Sequence, residues 1–321
     1  MNLFNTLSKP LQNALADLSF SNPTEIQEKS FKKILSGQDM VGIAQTGTGK
    51  TLAYALPILH QLNYSNQPHP RILILLPTRE LVSQVVENIN AYSKYLSIRT
   101  VGVYGGTNID TQKISVSGGV DILVGTPGRL YDLVLNRSIQ LKEIKKLVID
   151  EVDEMLDLGF RYQLTNLFEL LPNKRQNLMF SATMTKDVEI LINDFFNSPK
   201  LVSVAVSGSV SSNLVQRGYV VANFHTKINL LAELLKKDDF EKVLVFVESK
   251  KKAEILYDRL TTLGLNEIGI IHSNKSQNFR FRTIKQFEDK SKRVLITTDI
   301  MSRGLDLNSI SHVVSFDTPS Y

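Results

Sequence analysis

No cysteine occurs in the 321-residue chain, which excludes disulfides and cysteine-ligated metals at once and suits a reducing compartment such as the cytoplasm. Histidine is scarce as well. His60, His69, His225, His272 and His312 make up the set, and no two stand at metal-ligand spacing. Long apolar runs are missing: stretches such as Ile72 to Leu76 have the length of a buried strand, far below the roughly 20 residues that span a bilayer. Met1 to Lys9 shows no basic patch followed by an apolar core, so it does not read as a signal peptide. Acidic residues are slightly outnumbered, 32 against 37 basic ones, for a net charge of +5. That balance suits a polyanionic partner without requiring one.

What is present is alternation. Short β-branched runs recur at Met40 to Ala44, Ile72 to Leu76, Thr100 to Tyr104, Ile122 to Gly125, Leu147 to Ile149 and Asn177 to Phe180, each followed by an amphipathic or polar stretch. A second series covers Val243 to Val247, Ile268 to His272, Val294 to Thr297 and His312 to Phe316. Near-continuous apolar strands between helical patterns predict parallel sheets covered on both faces. The chain is also longer than one core usually organises. We therefore expect two α/β domains in tandem, residues 1–203 and 214–321, with a linker over residues 204–213 and a cleft between the domains. The stretch from Val202 to Asn213, rich in Ser, Gly and Val, has no helical periodicity. In open α/β sheets, ligands gather beyond the carboxyl ends of the strands, so the chemistry is to be sought in the residues that follow each run.

After Met40 to Ala44 comes Gln45-Thr46-Gly47-Thr48-Gly49-Lys50-Thr51. Glycines let the backbone wrap close to phosphate oxygens, the following helix adds its N-terminal dipole, Lys50 a point charge, and Thr51 a hydroxyl for Mg²⁺. The strict phosphate-loop pattern has glycine where this chain has Ala44. The run Leu147 to Ile149 ends in Asp150-Glu151-Val152-Asp153. Asp150 is placed to hold Mg²⁺ through its water shell, and Glu151 to orient or deprotonate an attacking water.

Together with Pro77-Thr78-Arg79-Glu80-Leu81, Thr126-Pro127-Gly128-Arg129 and Ser181-Ala182-Thr183, and in this order, these segments resemble the DEAD-box family of ATP-dependent RNA helicases. The similarity runs from Phe4 to the last residue, with Val152 where the family name spells alanine. It implies two RecA-like, P-loop NTPase domains, the second incomplete, in a monomeric, cytoplasmic RNA helicase that uses ATP and magnesium. It also assigns further roles. Phe20 to Gln27 resembles the family's glutamine motif, although Ser19 stands where the family usually has glycine. Asn22 and Gln27 would then meet adenine, with Phe4 stacked on the base. The loops with Pro77, Thr78, Arg79, Gly105, Gly106, Thr126, Pro127, Gly128 and Arg129 would follow an RNA backbone without reading bases, so binding would be sequence-independent and salt-sensitive.

In the second domain, Gln277, Arg280 and Thr298 would extend that track, and Phe246 matches the fourth motif. Ser181 and Thr183 would hydrogen-bond Asp153 and, with Asp299 and Arg303, couple nucleotide state to RNA. Asp306 would reach the nucleotide ribose. The chain stops at Tyr321, where the family continues into a helix carrying an arginine finger, worth roughly 10³ to 10⁵ in rate. We therefore expect this chain to bind ATP but hydrolyse it poorly. Two other readings stay open at this point: a DNA helicase or translocase on the same motor, and a nucleotide-gated RNA clamp that does not unwind.

Overall fold

A computed structural model describes residues 2–204, 215–298 and 309–317. The chain divides into two compact units, Met1–Ser207 and Gly208–Tyr321. The first opens with a 3-10 turn, Leu3–Thr6, and continues α1 (Lys9–Asp17), α2 (Glu25–Leu35), β1 (Met40–Ile43), α3 (Lys50–Gln61), β2 (Ile72–Leu75), α4 (Arg79–Tyr92) and β3 (Thr100–Val103). Then come α5 (Ile109–Ser117), β4 (Ile122–Gly125), α6 (Pro127–Leu135), β5 (Lys146–Ile149), α7 (Val152–Asp157), α8 (Arg161–Leu170), β6 (Gln176–Ser181), α9 (Lys186–Phe195) and β7 (Lys200–Ser203). The second unit holds α10 (Phe224–Leu234), β8 (Val243–Val247), α11 (Lys250–Thr262), β9 (Ile268–Ile271), α12 (Gln277–Glu288), β10 (Val294–Thr298) and β11 (His312–Ser315).

Every strand pairing among the described residues is parallel. Among the described residues the order is β3-β4-β2-β5-β6-β1-β7 in the first unit and β11-β8-β10-β9 in the second. The period of two along each strand divides its side chains between two cores. Ile72, Ile74 and Leu76 pack with Leu178, Phe180 and the helices α1 to α4 on one face. Leu73, Leu75, Met179 and Ile149 pack with α6 to α9 on the other. This two-sided burial is why the strands read as unbroken apolar runs.

The sequence reading needs one correction here. Val202 and Ser203, the start of the stretch without periodicity, belong to β7, where Gly42 of β1 pairs with Val202 and Ile43 with Ser203. Only Val202 of the four β7 residues is buried, so this edge strand shows too little apolar patterning to be seen in advance. Asp299, Arg303 and Asp306 lie outside the described residues, as does most of the expected linker. No helix among the described residues is long and apolar enough to cross a membrane.

The amino rim of the first sheet is fastened by Asp121, which precedes β4 and is fully buried. Its carboxylate accepts from Arg71 Nη2 at 2.9 Å, Gln67 Nε2 at 3.0 Å, and Arg99 through both backbone N at 2.9 Å and Nε at 3.0 Å. Burial pushes this carboxyl up, but the Arg99, Arg71 and Gln67 donors outweigh it and hold Asp121 down at about 2. A carboxyl whose folded value is depressed stabilises the fold above its unfolded value of 3.8 and loses that contribution as pH falls through the folded value. The shift corresponds to on the order of 2 kcal/mol. Asp121→Asn is expected to destabilise the first unit by about 2–4 kcal/mol at neutral pH. It should also flatten the loss of stability between about pH 4 and pH 2, as read from urea unfolding followed by circular dichroism. Unchanged unfolding would show that the two arginines do not depend on this charge.

Candidate functional site

The order β5-β6-β1 sets the loop after β1 and the tip of β5 on either side of Ser181, the last residue of β6. Lys50, first residue of α3, is 5% exposed, and its ammonium donates to Glu151 Oε1 at 2.8 Å. Thr46 Oγ1 reaches the same oxygen at 3.4 Å. Asp150 is buried beside them and accepts from the Glu151 backbone N at 3.0 Å. Burial first, and the Glu151 charge beyond it, push the Asp150 carboxyl well above the usual range, with Lys50 pulling it back. Glu151 has φ +53°, a left-handed conformation disfavoured for a residue with a side chain.

The loop itself turns at Gly49, φ +88°, where a Cβ would also run into the Gln27 amide. Gln45 and Thr46 are exposed, Thr48 Oγ1 donates to the Gln45 carbonyl at 2.7 Å, and no atom stands within 4 Å of the place a Cβ would take on Gly47. Two buried carboxylates thus face one ammonium beneath an open, glycine-lined turn. The Thr51 hydroxyl and Asp150 add hard oxygen donors. That set fits a magnesium ion, which takes one or two protein oxygens and leaves its other positions to water and phosphate.

Gln27 is 4% exposed, and its amide is already engaged. Oε1 accepts from Thr24 N at 2.9 Å, closing the start of α2, and Nε2 donates to the Gly49 carbonyl at 3.2 Å. The amide therefore ties helix α2 to the phosphate loop, keeping one further lone pair and one further N–H. Phe4 is buried in the first core. Its backbone N donates to Asn2 Oδ1 at 2.9 Å, while Asn2 Nδ2 donates to the Ser21 carbonyl at 2.8 Å and to Asn22 Oδ1 at 3.4 Å. Asn2, which sequence reasoning passed over, binds the Phe4 turn to the Asn22 loop. Ser19 has φ +60°, so it occupies the conformation that glycine adopts most easily.

A second group gathers after β2, β3 and β4. Thr78 caps α4 through Oγ1, accepting from Leu81 N at 3.3 Å, with Pro77 buried before it. The Arg79 guanidinium lies against Gly106, φ +77°, where a Cβ would collide with it. Arg129 Nη2 donates to the Thr107 carbonyl at 2.8 Å, and its Nε and Nη1 are buried with no partner among the described residues. Thr126 and Pro127 open α6, and Gly128 faces open space. The two arginines thus flank the loop of Gly105 and Gly106.

Gln112 of α5 shapes that loop. Its Oε1 accepts from Tyr104 N at 3.2 Å, and Nε2 donates to the Tyr104 carbonyl at 3.0 Å and Thr107 Oγ1 at 2.7 Å. It was not foreseen, because a lone glutamine on a polar helix gives no sign of reaching a loop eight residues upstream.

Thr183 donates to Asp153 Oδ2 through N at 3.0 Å and Oγ1 at 2.8 Å, whereas Ser181 Oγ donates to the Thr183 carbonyl at 2.7 Å instead of to Asp153. In the second unit, Arg280 Nη1 donates to Gln277 Oε1 at 3.1 Å on the first turn of α12. Thr298 ends β10, also on a carboxyl rim, and is buried.

The model of the DEAD/DEAH box helicase family matches residues 24–191, and that of the helicase conserved C-terminal domain matches residues 226–321. The first alone covers more than half of the sequence, and the chain belongs to the DEAD/DEAH box helicase family. It is 39% identical over 313 residues to RNA helicase CrhR of Synechocystis sp. and 34% identical over 313 residues to the DEAD-box ATP-dependent RNA helicase RhpA of Helicobacter pylori. Each match takes in 98% of this chain and 63% of the relative, so the chain spans under two thirds of these proteins. Saccharomyces cerevisiae Dbp5 bound to RNA and ADP BeF3 superposes with a TM-score of 0.88 at 29% identity, over 98% of this chain and 80% of that one. A DEAD box protein from Methanococcus jannaschii gives 0.62 at 31% identity, over 99% and 86%. Both units therefore have the RecA-like α/β fold of DEAD-box helicases.

Removing the Gln112 amide should leave global stability nearly intact. In Gln112→Ala, amide exchange at Tyr104 is expected to speed up roughly tenfold or more, the consequence of losing hydrogen bonds worth about 1 kcal/mol each. Exchange at the wild-type rate would show that the loop holds its shape unaided.

Proposed function

We propose that this protein is a cytoplasmic ATP-dependent RNA helicase that binds magnesium ATP on the carboxyl rim of its first unit and uses it to open short RNA duplexes or remodel RNA–protein complexes. The observation that carries the reading is the 2.8 Å pair of Lys50 with Glu151. It joins a phosphate-binding cation to a carboxylate able to orient water, in a buried place where neither charge is stable alone.

Lys50 and the backbone N–H groups of residues 45–49 would meet the phosphates. Thr51 and Asp150 would hold magnesium, which supplies positive charge at the phosphate oxygens, and Glu151 would align the attacking water. Gln27 would offer its remaining lone pair and N–H to adenine, with Phe4 and Asn22 beside it, so that base identity is felt directly at Gly49. Arg79, the Gly105-Gly106 turn and the helix start at Thr126 to Arg129 would take RNA phosphates. The buried, unpartnered Nε and Nη1 of Arg129 support this, since such groups are costly unless a ligand satisfies them. Gln277, Arg280 and Thr298 would do the same in the second unit. Asp153 with Thr183 would carry nucleotide state toward Ser181, and Asp299, Arg303 and Asp306 keep the coupling and ribose roles that the family resemblance gives them. The protein would act as a monomer.

The test is binding. Lys50→Ala should weaken a fluorescent ATP analogue at least roughly tenfold, and the analogue with magnesium should tighten the hold of the wild-type protein on single-stranded RNA. That RNA affinity should fall steeply with salt. Tightening on DNA of the same sequence to the same degree would favour a DNA motor, and nucleotide binding with no effect on RNA would refute the helicase reading.

A further inference from the structure

Tyr54 carries a polar group in a place that packing alone would give to phenylalanine. It stands on α3 four residues after Lys50 and three after Thr51, on the face that those residues share, and it is 0% exposed. Its ring packs on that of Phe180 in β6, centroids 5.4 Å apart at 52°. Phe180 in turn fills the space left by Gly42 of β1, where a Cβ would come within 2.8 Å of the Phe180 ring. The ring is thus held against β6 over β1. Among the described residues its hydroxyl has no partner in normal hydrogen-bond geometry.

Burying a hydroxyl without a partner is unfavourable, and phenylalanine would fill the same ring site without that cost. Thr51 and Asp150 are the two oxygen groups that interact with the hydroxyl, although neither stands in normal hydrogen-bond geometry to it. A phenol keeps its proton at neutral pH, so the hydroxyl stands as a donor toward both oxygen groups. These are the two residues read above as the magnesium-holding pair.

We propose that Tyr54 is a positioning residue of the metal–nucleotide site, its hydroxyl donating to the oxygens around Asp150 and Thr51 once magnesium nucleotide is bound. The inference rests on that reading of Thr51 and Asp150. Groups that orient a metal ligand without touching the metal are commonly worth about 10- to 100-fold in metal affinity.

The experiment compares wild type with Tyr54→Phe in two measurements. One is the melting temperature of the nucleotide-free protein. The other is the affinity for a fluorescent ATP analogue titrated with magnesium and, separately, in EDTA. The proposal expects an unchanged or raised melting temperature, unchanged affinity in EDTA, and a requirement for roughly tenfold or more magnesium to reach half of the metal-dependent tightening. An unchanged magnesium requirement would overturn it, leaving the hydroxyl a tolerated defect. A variant that melts lower or fails to fold without nucleotide would also overturn it, because the hydroxyl would then serve the nucleotide-free fold. Wild-type protein that binds nucleotide with no dependence on magnesium would remove the underlying reading, whatever Tyr54→Phe does.

Discussion

Two carboxylates and one ammonium stand nearly out of water at the carboxyl end of the first sheet, and the local architecture follows from keeping them there. Lys50, Asp150 and Glu151 are 5%, 4% and 8% exposed. Taking each charge from water costs several kcal/mol, which a close pair offsets only with good geometry. The strand order β5-β6-β1 supplies that geometry by placing the phosphate loop and the acidic tip one strand apart. Glu151 completes it from a left-handed backbone, a conformation that costs about 1–2 kcal/mol. It is over-determined from two sides: its carbonyl accepts from Met155 N at 3.1 Å to begin α7, and its side chain is held by Lys50.

The same pair gives the proposed chemistry an order. Lys50 has Glu151 for a partner, so on the proposed reading a phosphate entering the loop would compete with that carboxylate for one ammonium. Nucleotide arrival and release of Glu151 from its ion pair would then be a single exchange. Gln27 adds a second link: the amide read as the adenine contact already donates to the Gly49 carbonyl. On that reading, a base pulling on this amide would shift the turn that meets the phosphates.

Much of this was legible in the sequence, for reasons particular residues make plain. Strands such as Ile72–Leu75 were visible because both faces are buried and every residue is apolar. β7 was hidden because only Val202 is covered. The candidate residues stood out because parallel sheets gather loops at the carboxyl ends of their strands: Asp150 directly follows β5, and Lys50 begins α3 after the loop that leaves β1. Residues that act by reaching back to a backbone, such as Asn2 and Gln112, left no trace, since their partners carry no side-chain signature. Ser19 was noticed only as a departure from the family's glycine, and its φ of +60° supplies the physical meaning: the position is left-handed whatever residue fills it. Val152, the departure inside the acidic motif, is wholly buried in the second core, so its side chain serves packing there.

Two aspartates of this unit separate what holds the fold from what serves the site. Asp121 and Asp150 are both buried, at opposite rims of one sheet, and are pushed in opposite directions. Asp121 has two arginines, a glutamine and a backbone N–H around it and is held at about 2. Asp150 has one backbone N–H and a shared lysine, with another carboxylate beside it, and is raised. Burial pushes both carboxyls up, and at Asp121 the donors and cations outweigh it. A fold selected only for stability would neutralise Asp150 as thoroughly as Asp121. The carboxyl rim instead sets two carboxyl groups against a single ammonium, the balance that the proposed magnesium and phosphate site would use.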